Sequence, residues 1–197
     1  MSAPVFYINL AHRVDRRAQV EAELRRLDWT GSRVDAVHTP ERGAVGCALS
    51  HAAALRAFLN AGHAHCVVAE DDVAFVRDPR PGIARFLADF GADWDVLMLA
   101  SNTKLEEPVD GRDYVTRILN AQTTACYAVS AAFAPTLLAC FEESARRLAA
   151  EWSVGACCDI LWKRLQPASR WYCLRPCAAI QRESYSDIEG RVTFYGV

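Results

Sequence analysis

The sequence predicts an α/β fold in which helices flank a largely parallel central sheet, and three observations point there. Short apolar runs alternate with longer segments whose apolar residues recur at helical spacing among charges. Gly and Pro punctuate the joints between them. One apolar run, Cys66 to Phe75, is broken by three consecutive carboxylates, Glu70, Asp71 and Asp72, as if a buried strand delivered them to its exposed carboxyl end.

Taken in order, Val5 to Leu10 is the first strand. From Arg16 to Leu27 the apolar positions Val20, Leu24 and Leu27 share one helix face, and Asp28 to Gly31 ends that helix. Arg33 to Val37 is a short second strand and Thr39 to Gly43 a loop. Ala44 to Ala61 is an Ala- and Leu-rich helix stopped by Gly62. His65 to Ala69 is the third strand. Arg77 to Gly82 breaks the chain before a helix that runs to Phe90, and Trp94 to Ala100 is another apolar strand. Ser101 to Gly111 reads as a polar loop holding Asn102. Tyr114 to Leu119 and Ala125 to Val129 are two strands; Ala131 to Ala150 is a helix interrupted or kinked at Pro135. Asp159 to Leu165 is a further helix, Trp171 to Leu174 a late strand, and Gln181 to Arg191 a polar, loop-like tail.

Length and composition fit one domain over residues 1–197, with 52% hydrophobic residues to supply its core. A formal charge of −2 excludes the broad basic field of a polynucleotide binder, although Arg13, Arg16, Arg17, Arg25 and Arg26 make the N-terminal segment locally basic, which suits a single anionic ligand. No apolar stretch approaches the roughly 20 residues that span a bilayer, and the N-terminus lacks a signal-peptide pattern. A cytoplasmic protein is expected, peripheral to a membrane if its acceptor is lipid-linked. The eight cysteines contain no CxxC pair and are expected to be reduced and mostly buried.

The acidic triplet carries the chemistry. Buried carboxylates need a cationic partner, and hard oxygen ligands at a strand end suit Mg²⁺ or Mn²⁺, ions that keep positions open for phosphates. Asn9, Arg13 and Arg16 follow the first strand, where guanidinium groups can reach ribose and phosphate. Ser101 and Asn102 follow the fourth, in reach of sugar or acceptor. Neither a Gly-x-Gly-x-x-Gly nor a P-loop motif is present, which argues against dinucleotide oxidoreductases and P-loop nucleotidases, and no Gly-x-Ser-x-Gly elbow marks a hydrolase. From the residues alone, His51 also reads as a hydrogen-bonded core histidine, Asp159 as a helix N-cap, and Asp187 and Glu189 as turn residues. Cys47 and His51, four apart, place a thiol and an imidazole on one helix face.

Five segments in order resemble glycosyltransferase family 25: Tyr7-Ile-Asn-Leu-Ala-His-Arg-Val-Asp-Arg-Arg17, Gly43-Ala-Val-Gly-Cys-Ala-Leu-Ser-His51, Val68-Ala-Glu-Asp-Asp-Val73, Ala125-Cys-Tyr-Ala-Val-Ser130 and Gln181-Arg-Glu-Ser-Tyr-Ser-Asp-Ile-Glu-Gly190. The resemblance implies a GT-A type fold and transfer with inversion from a UDP-sugar, with galactose the expected sugar. The acceptor would be a hydroxyl of a glycan, as in lipopolysaccharide biosynthesis, of a lipid-linked saccharide or of a protein side chain. It puts Asn9, Arg13 and Arg16 in the donor-side entry motif, makes Ser50 and His51 the Ser-His pair, and places Glu70 and Asp72 around a bound Mn²⁺ or Mg²⁺. Asp159 and Asp187 become the candidates for the base, with Asp159 preferred. Two other classes use the same acidic strand end: a metal-dependent phosphoesterase or nucleotidyltransferase, and a catalytically silent nucleotide-sugar binding module.

Overall fold

In the computed structural model, which describes residues 3–186 and 191–193, the chain opens with β1 (Val5–Asn9), α1 (Val14–Arg26), β2 (Gly31–Asp35), α2 (Gly43–Ala61) and β3 (His65–Glu70). It continues through β4 (Val73–Phe75), α3 (Arg80–Phe90), β5 (Val96–Met98), β6 (Asn102–Pro108), β7 (Val115–Gln122) and β8 (Cys126–Ser130). Next come α4 (Ala134–Ala150), a 3-10 turn over Val154–Ala156, α5 (Cys158–Leu161) and a second such turn over Trp162–Leu165. Strands β9 (Trp171–Leu174), β10 (Ala179–Gln181), β11 (Ser184–Ser186) and β12 (Arg191–Thr193) follow.

Eight strands make the main sheet, ordered β2-β1-β3-β8-β5-β9-β7-β6. β1 is parallel to β2 and β3, and β5 to β9. β8 is antiparallel to β3 and β5, and β7 to β9 and β6. Six of the eight strands therefore point one way, with only β7 and β8 reversed, as expected of a largely parallel α/β sheet.

The period of two along each central strand deals its side chains to opposite faces. Cys66 and Val68 of β3, Tyr127 and Val129 of β8, and Phe6 and Ile8 of β1 face α2, α4 and α5. Val67 and Ala69, Cys126 and Ala128, and Val5 and Tyr7 face α1 and α3. Because both faces are covered, these strands read in the sequence as continuous apolar runs. On the first face Trp162 is fully buried, donates its indole N–H to the Ala121 carbonyl at 3.2 Å, and meets Trp171 edge-on at 4.9 Å. Helix α2 ends at Gly62, whose φ of +71° is the left-handed conformation that releases the chain into β3.

Three expectations change. Pro135 does not kink a helix: it lies in the first turn of α4, where its missing N–H costs nothing and its fixed φ suits the helix start. The segment expected as a polar loop is largely β6, an edge strand with Leu105, Glu106 and Glu107 exposed; an edge facing water needs no apolar alternation and is protected by charge. The tail expected as loop begins at the last residue of β10, which pairs antiparallel with β4, and holds β11, which pairs antiparallel with β12. No disulfide joins any of the eight cysteines. Among the described residues no helix is long and apolar enough to cross a membrane.

Candidate functional site

The carboxyl ends of β1 and β3 lie side by side, with Ile8 opposite Glu70, and there they open a pocket of about 300 Å³. That is the low end of the size range of small-molecule sites. Its walls are the ends of both strands, Arg16 of α1, the loop from Ala36 to Pro40, and Gly43, Gly46, Cys47, Ser50 and His51 of α2. Glu70, Asp71, Asp72 and Gln181 close its base.

The acidic triplet is not a solvated turn. Asp71 and Asp72 are buried, and one guanidinium serves both: Arg16 Nη1 lies 3.0 Å from Asp71 Oδ1 and 3.3 Å from Asp72 Oδ2. Asn9 donates to Asp71 Oδ2 at 2.7 Å and Gln181 donates to Asp72 Oδ2 at 3.2 Å. Asp72 is 4% exposed, and its Oδ1 is buried with no hydrogen-bond partner among the described residues. Burial raises the Asp72 carboxyl, the charge of Glu70 raises it further, and Arg16 only partly opposes them, leaving it at about 7. Burial likewise raises Asp71, against Asn9 and Arg16. Among the described residues, negative charge therefore exceeds its compensation at this corner. An all-oxygen position with an orphaned carboxylate oxygen fits a hard divalent cation.

Glu70 turns towards α2. Its Oε1 accepts from Thr124 Oγ1 at 2.6 Å and lies 3.3 Å from His51 Nε2, while His51 Nδ1 lies 3.2 Å from the Tyr127 hydroxyl. Burial works against the imidazolium, but Cys47 and Glu70 outweigh it and push His51 up to about 9. Cys47 Sγ, a ring nitrogen of His51 and a carboxylate oxygen of Glu70 all lie within 4.8 Å of one another. His51 is 1% exposed and hydrogen-bonded, and it lines the pocket.

The other expected residues divide. Asn9 lines the pocket, but both Nδ2 bonds go to the protein, to Asp71 and the Arg13 carbonyl, and Oδ1 accepts from Arg33 Nε at 3.0 Å. Ser50 lines it too, its hydroxyl donating to the Gly46 carbonyl at 2.6 Å and accepting from Val37 N–H at 2.8 Å, which ties the β2–α2 loop to α2. Arg13 sits at the α1 N-cap, outside the pocket lining, with its guanidinium on Asp15 at 2.9 Å. Asn102 is the first residue of β6, paired with Gln122 at the far edge of the sheet, and does not reach this pocket. Asp187 lies outside the described residues.

Asp159, in the first turn of α5, accepts the Thr123 N–H on Oδ2 at 3.3 Å, and its carboxyl is raised by burial against that bond and further by the charge of Glu70. Thr123 holds a φ of +82°, a strained conformation for a β-branched residue, and its hydroxyl donates to Gln181 Oε1 at 3.4 Å. A polar chain thus runs from Asp159 through Thr123 and Gln181 to Asp72. Thr123 and Thr124 carry no motif signal; Tyr127 and Gln181 lie in two of the family-like segments, but nothing there marks them for the site, because β8 and β10 bring them here from distant sequence.

Gly46 lines the pocket where α2 meets the loop after β2. A Cβ there would stand 2.4 Å from the Val37 carbonyl oxygen and 2.5 Å from Thr39 Oγ1. Gly46→Ala must push backbone aside, and an equilibrium urea titration should show a loss of about 1–3 kcal/mol. An unchanged midpoint would mean that the loop does not rest on α2 in solution.

No protein-family profile matches the chain. Among curated proteins it is similar to "Inactive glycosyltransferase 25 family member 3" of Homo sapiens, 30% identical across 68% of this chain and 28% of the relative. The Mus musculus protein of the same name is also 30% identical with the same coverage, and "Probable inactive glycosyltransferase 25 family member 3" of Bos taurus is 29% identical. The chain thus spans about 28% of the length of these relatives. Among solved structures, a glycosyltransferase involved in the glycosylation of the major capsid of PBCV-1 aligns with a TM-score of 0.48 at 11% identity, over 88% of this chain and 82% of that one. Mannose-1-phosphate geranyltransferase from Thermus thermophilus aligns at 0.41 and 13% identity, over 87% and 73%.

Proposed function

We propose, from the premise that the chain belongs to glycosyltransferase family 25, that its pocket binds a nucleoside diphosphate sugar beside a divalent cation and that the sugar passes, with inversion, to an acceptor hydroxyl. UDP-galactose is the proposed donor, and a glycan, lipid-linked saccharide or protein side chain the acceptor. The observation that supports the cation is the orphaned Asp72 Oδ1 within an under-compensated group of carboxylates. Asp72 is the proposed ligand, and Glu70, held by Thr124 and His51, adds its charge. When bound, Mn²⁺ or Mg²⁺ supplies stabilisation of the negative charge that gathers on the departing diphosphate.

The chain's own residues do the rest. Arg16, fixed between Asp71 and Asp72, carries its positive charge on the phosphate side of the pocket. Asn9 and Ser50 act as positioning residues, one orienting Asp71 and the other holding the pocket loop. Asp159, raised by burial and Glu70, is the proposed base that takes the acceptor's proton, and the Thr123 N–H fixes the carboxylate's direction. Cation binding requires Asp72 ionised, so with the carboxyl at about 7 the affinity for Mn²⁺ should fall as pH drops through that value, about tenfold per unit below it.

A second reading, a silent nucleotide-sugar binding module, has one observation in its favour: the curated relatives carry the word inactive in their names. Calorimetric titration with UDP, with and without Mn²⁺, followed by product analysis on a panel of UDP-sugars, separates the two. Cation-dependent binding with sugar transfer supports the enzyme; the same binding without turnover supports the module; no UDP binding defeats both. If transfer occurs, Asp159→Asn should cut it about 100-fold, with little change in donor affinity. Loss from Asp187→Asn and none from Asp159→Asn would move the base to Asp187.

A further inference from the structure

We propose that Cys47, His51 and Glu70 form a site for a borderline-soft divalent cation, Zn²⁺ foremost, separate from the hard-oxygen position at Asp72. Three ligand types from two elements converge there. Helix α2 places Cys47 and His51 one turn apart on one face, β3 ends at Glu70, and the three donor atoms lie within 4.8 Å of one another. Sulfur, imidazole nitrogen and carboxylate oxygen together suit Zn²⁺ better than Mg²⁺ or Mn²⁺.

The His51–Glu70 spacing fits two ligands of one ion. His51 Nε2 and Glu70 Oε1 stand 3.3 Å apart, long for a charge-assisted hydrogen bond, which centres at about 2.7–2.9 Å. Two ligands on one tetrahedral zinc, each at about 2.1 Å, are separated by about 3.4 Å.

Each ligand also has the outer partner that metal ligands use to fix their direction. His51 Nδ1 meets the Tyr127 hydroxyl at 3.2 Å, which leaves Nε2 for the ion. Thr124 Oγ1 donates to Glu70 at 2.6 Å, and Cys47 Sγ has Cys158 Sγ at 3.8 Å, a thiol able to donate to a thiolate. All three ligands line the pocket, so an ion can enter from it, and the fourth tetrahedral position is left to water or a ligand oxygen. On binding, the Cys47 thiol and the His51 ring, at Nε2, each give up a proton to solvent.

The test is titration of the metal-free protein, under reducing conditions, with Co²⁺ and then Zn²⁺. Cobalt should produce a thiolate-to-cobalt charge-transfer band that saturates at one equivalent and is bleached by one equivalent of Zn²⁺. Cys47→Ser should remove the band, Asp72→Asn should leave it intact, and Tyr127→Phe should weaken Zn²⁺ affinity about tenfold while the fold is kept. The proposal is overturned if no band forms, if the band survives in Cys47→Ser, or if it disappears in Cys177→Ser, which would place the ion on Cys173 and Cys177, whose Sγ atoms lie 3.7 Å apart. None of these readouts depends on sugar transfer, so failure here and failure of the proposed activity remain distinguishable.

Discussion

Replacing Asp72 with asparagine should lower cation-dependent sugar transfer by at least about 100-fold, and the variant should be as stable as the parent or more so. The pairing of these two results is the informative part. The folded-state pKa of Asp72 is raised, to about 7, so the group favours folding most below its unfolded value and that contribution is lost as pH climbs to the folded one. At neutral pH the ionised side chain is therefore a burden on the apo protein, with Oδ1 unpartnered. Asparagine keeps the shape and the acceptor for Gln181 while removing the charge. A thermal melt of Asp72→Asn should show an unchanged or higher midpoint; a large drop together with lost activity would mean that the carboxylate is structural. Sites that hold charge against stability in this way are where function and stability trade off.

Arg16→Gln should have the opposite signature. One guanidinium compensates both Asp71 and Asp72, and its side chain is itself largely enclosed. Its removal leaves two buried carboxylates facing each other and Glu70, a change that typically costs about 3–5 kcal/mol. Both carboxyls already titrate above their ordinary range, and without Arg16 they rise further, so the deficit against the parent should be smallest in acid, where both are neutral, and widen as pH climbs through the parent's folded values, about 7 for Asp72. Urea titrations at about pH 5 and about pH 8.5, with and without Mn²⁺, measure this. The cation should restore part of the loss at the higher pH by binding the folded state. A small, pH-independent loss would show that Arg16 is not the main counter-charge.

The parts of this molecule legible in its sequence are those governed by local pattern. The β3 run with its acidic end could be read because both faces of that strand are covered, so its side chains are apolar until the strand leaves the core. The largely one-way sheet followed from alternating helices and strands. β6 could not be read, because an edge strand is held by backbone pairing to β7 and by contacts such as Thr116 with Glu106, which leave no periodic trace. Arg13 and Arg16 look alike in sequence, yet only Arg16 enters the pocket: three residues along α1 turn it from Asp15 towards Asp71. Gln181 and Thr124 reach the site through β10–β4 pairing and the β8 end, long-range events invisible to any local window.

The central claim is that the corner between β1 and β3 closes around a cation that holds a diphosphate. Crystals grown with Mn²⁺ and UDP, measured for manganese anomalous scattering, test it most directly. A manganese peak within bonding distance of Asp72 Oδ1, with diphosphate oxygens completing its shell in the pocket lined by Arg16, is the predicted result. UDP bound elsewhere, or a pocket in which Asp72 keeps its apo contacts and no manganese signal appears, would contradict it.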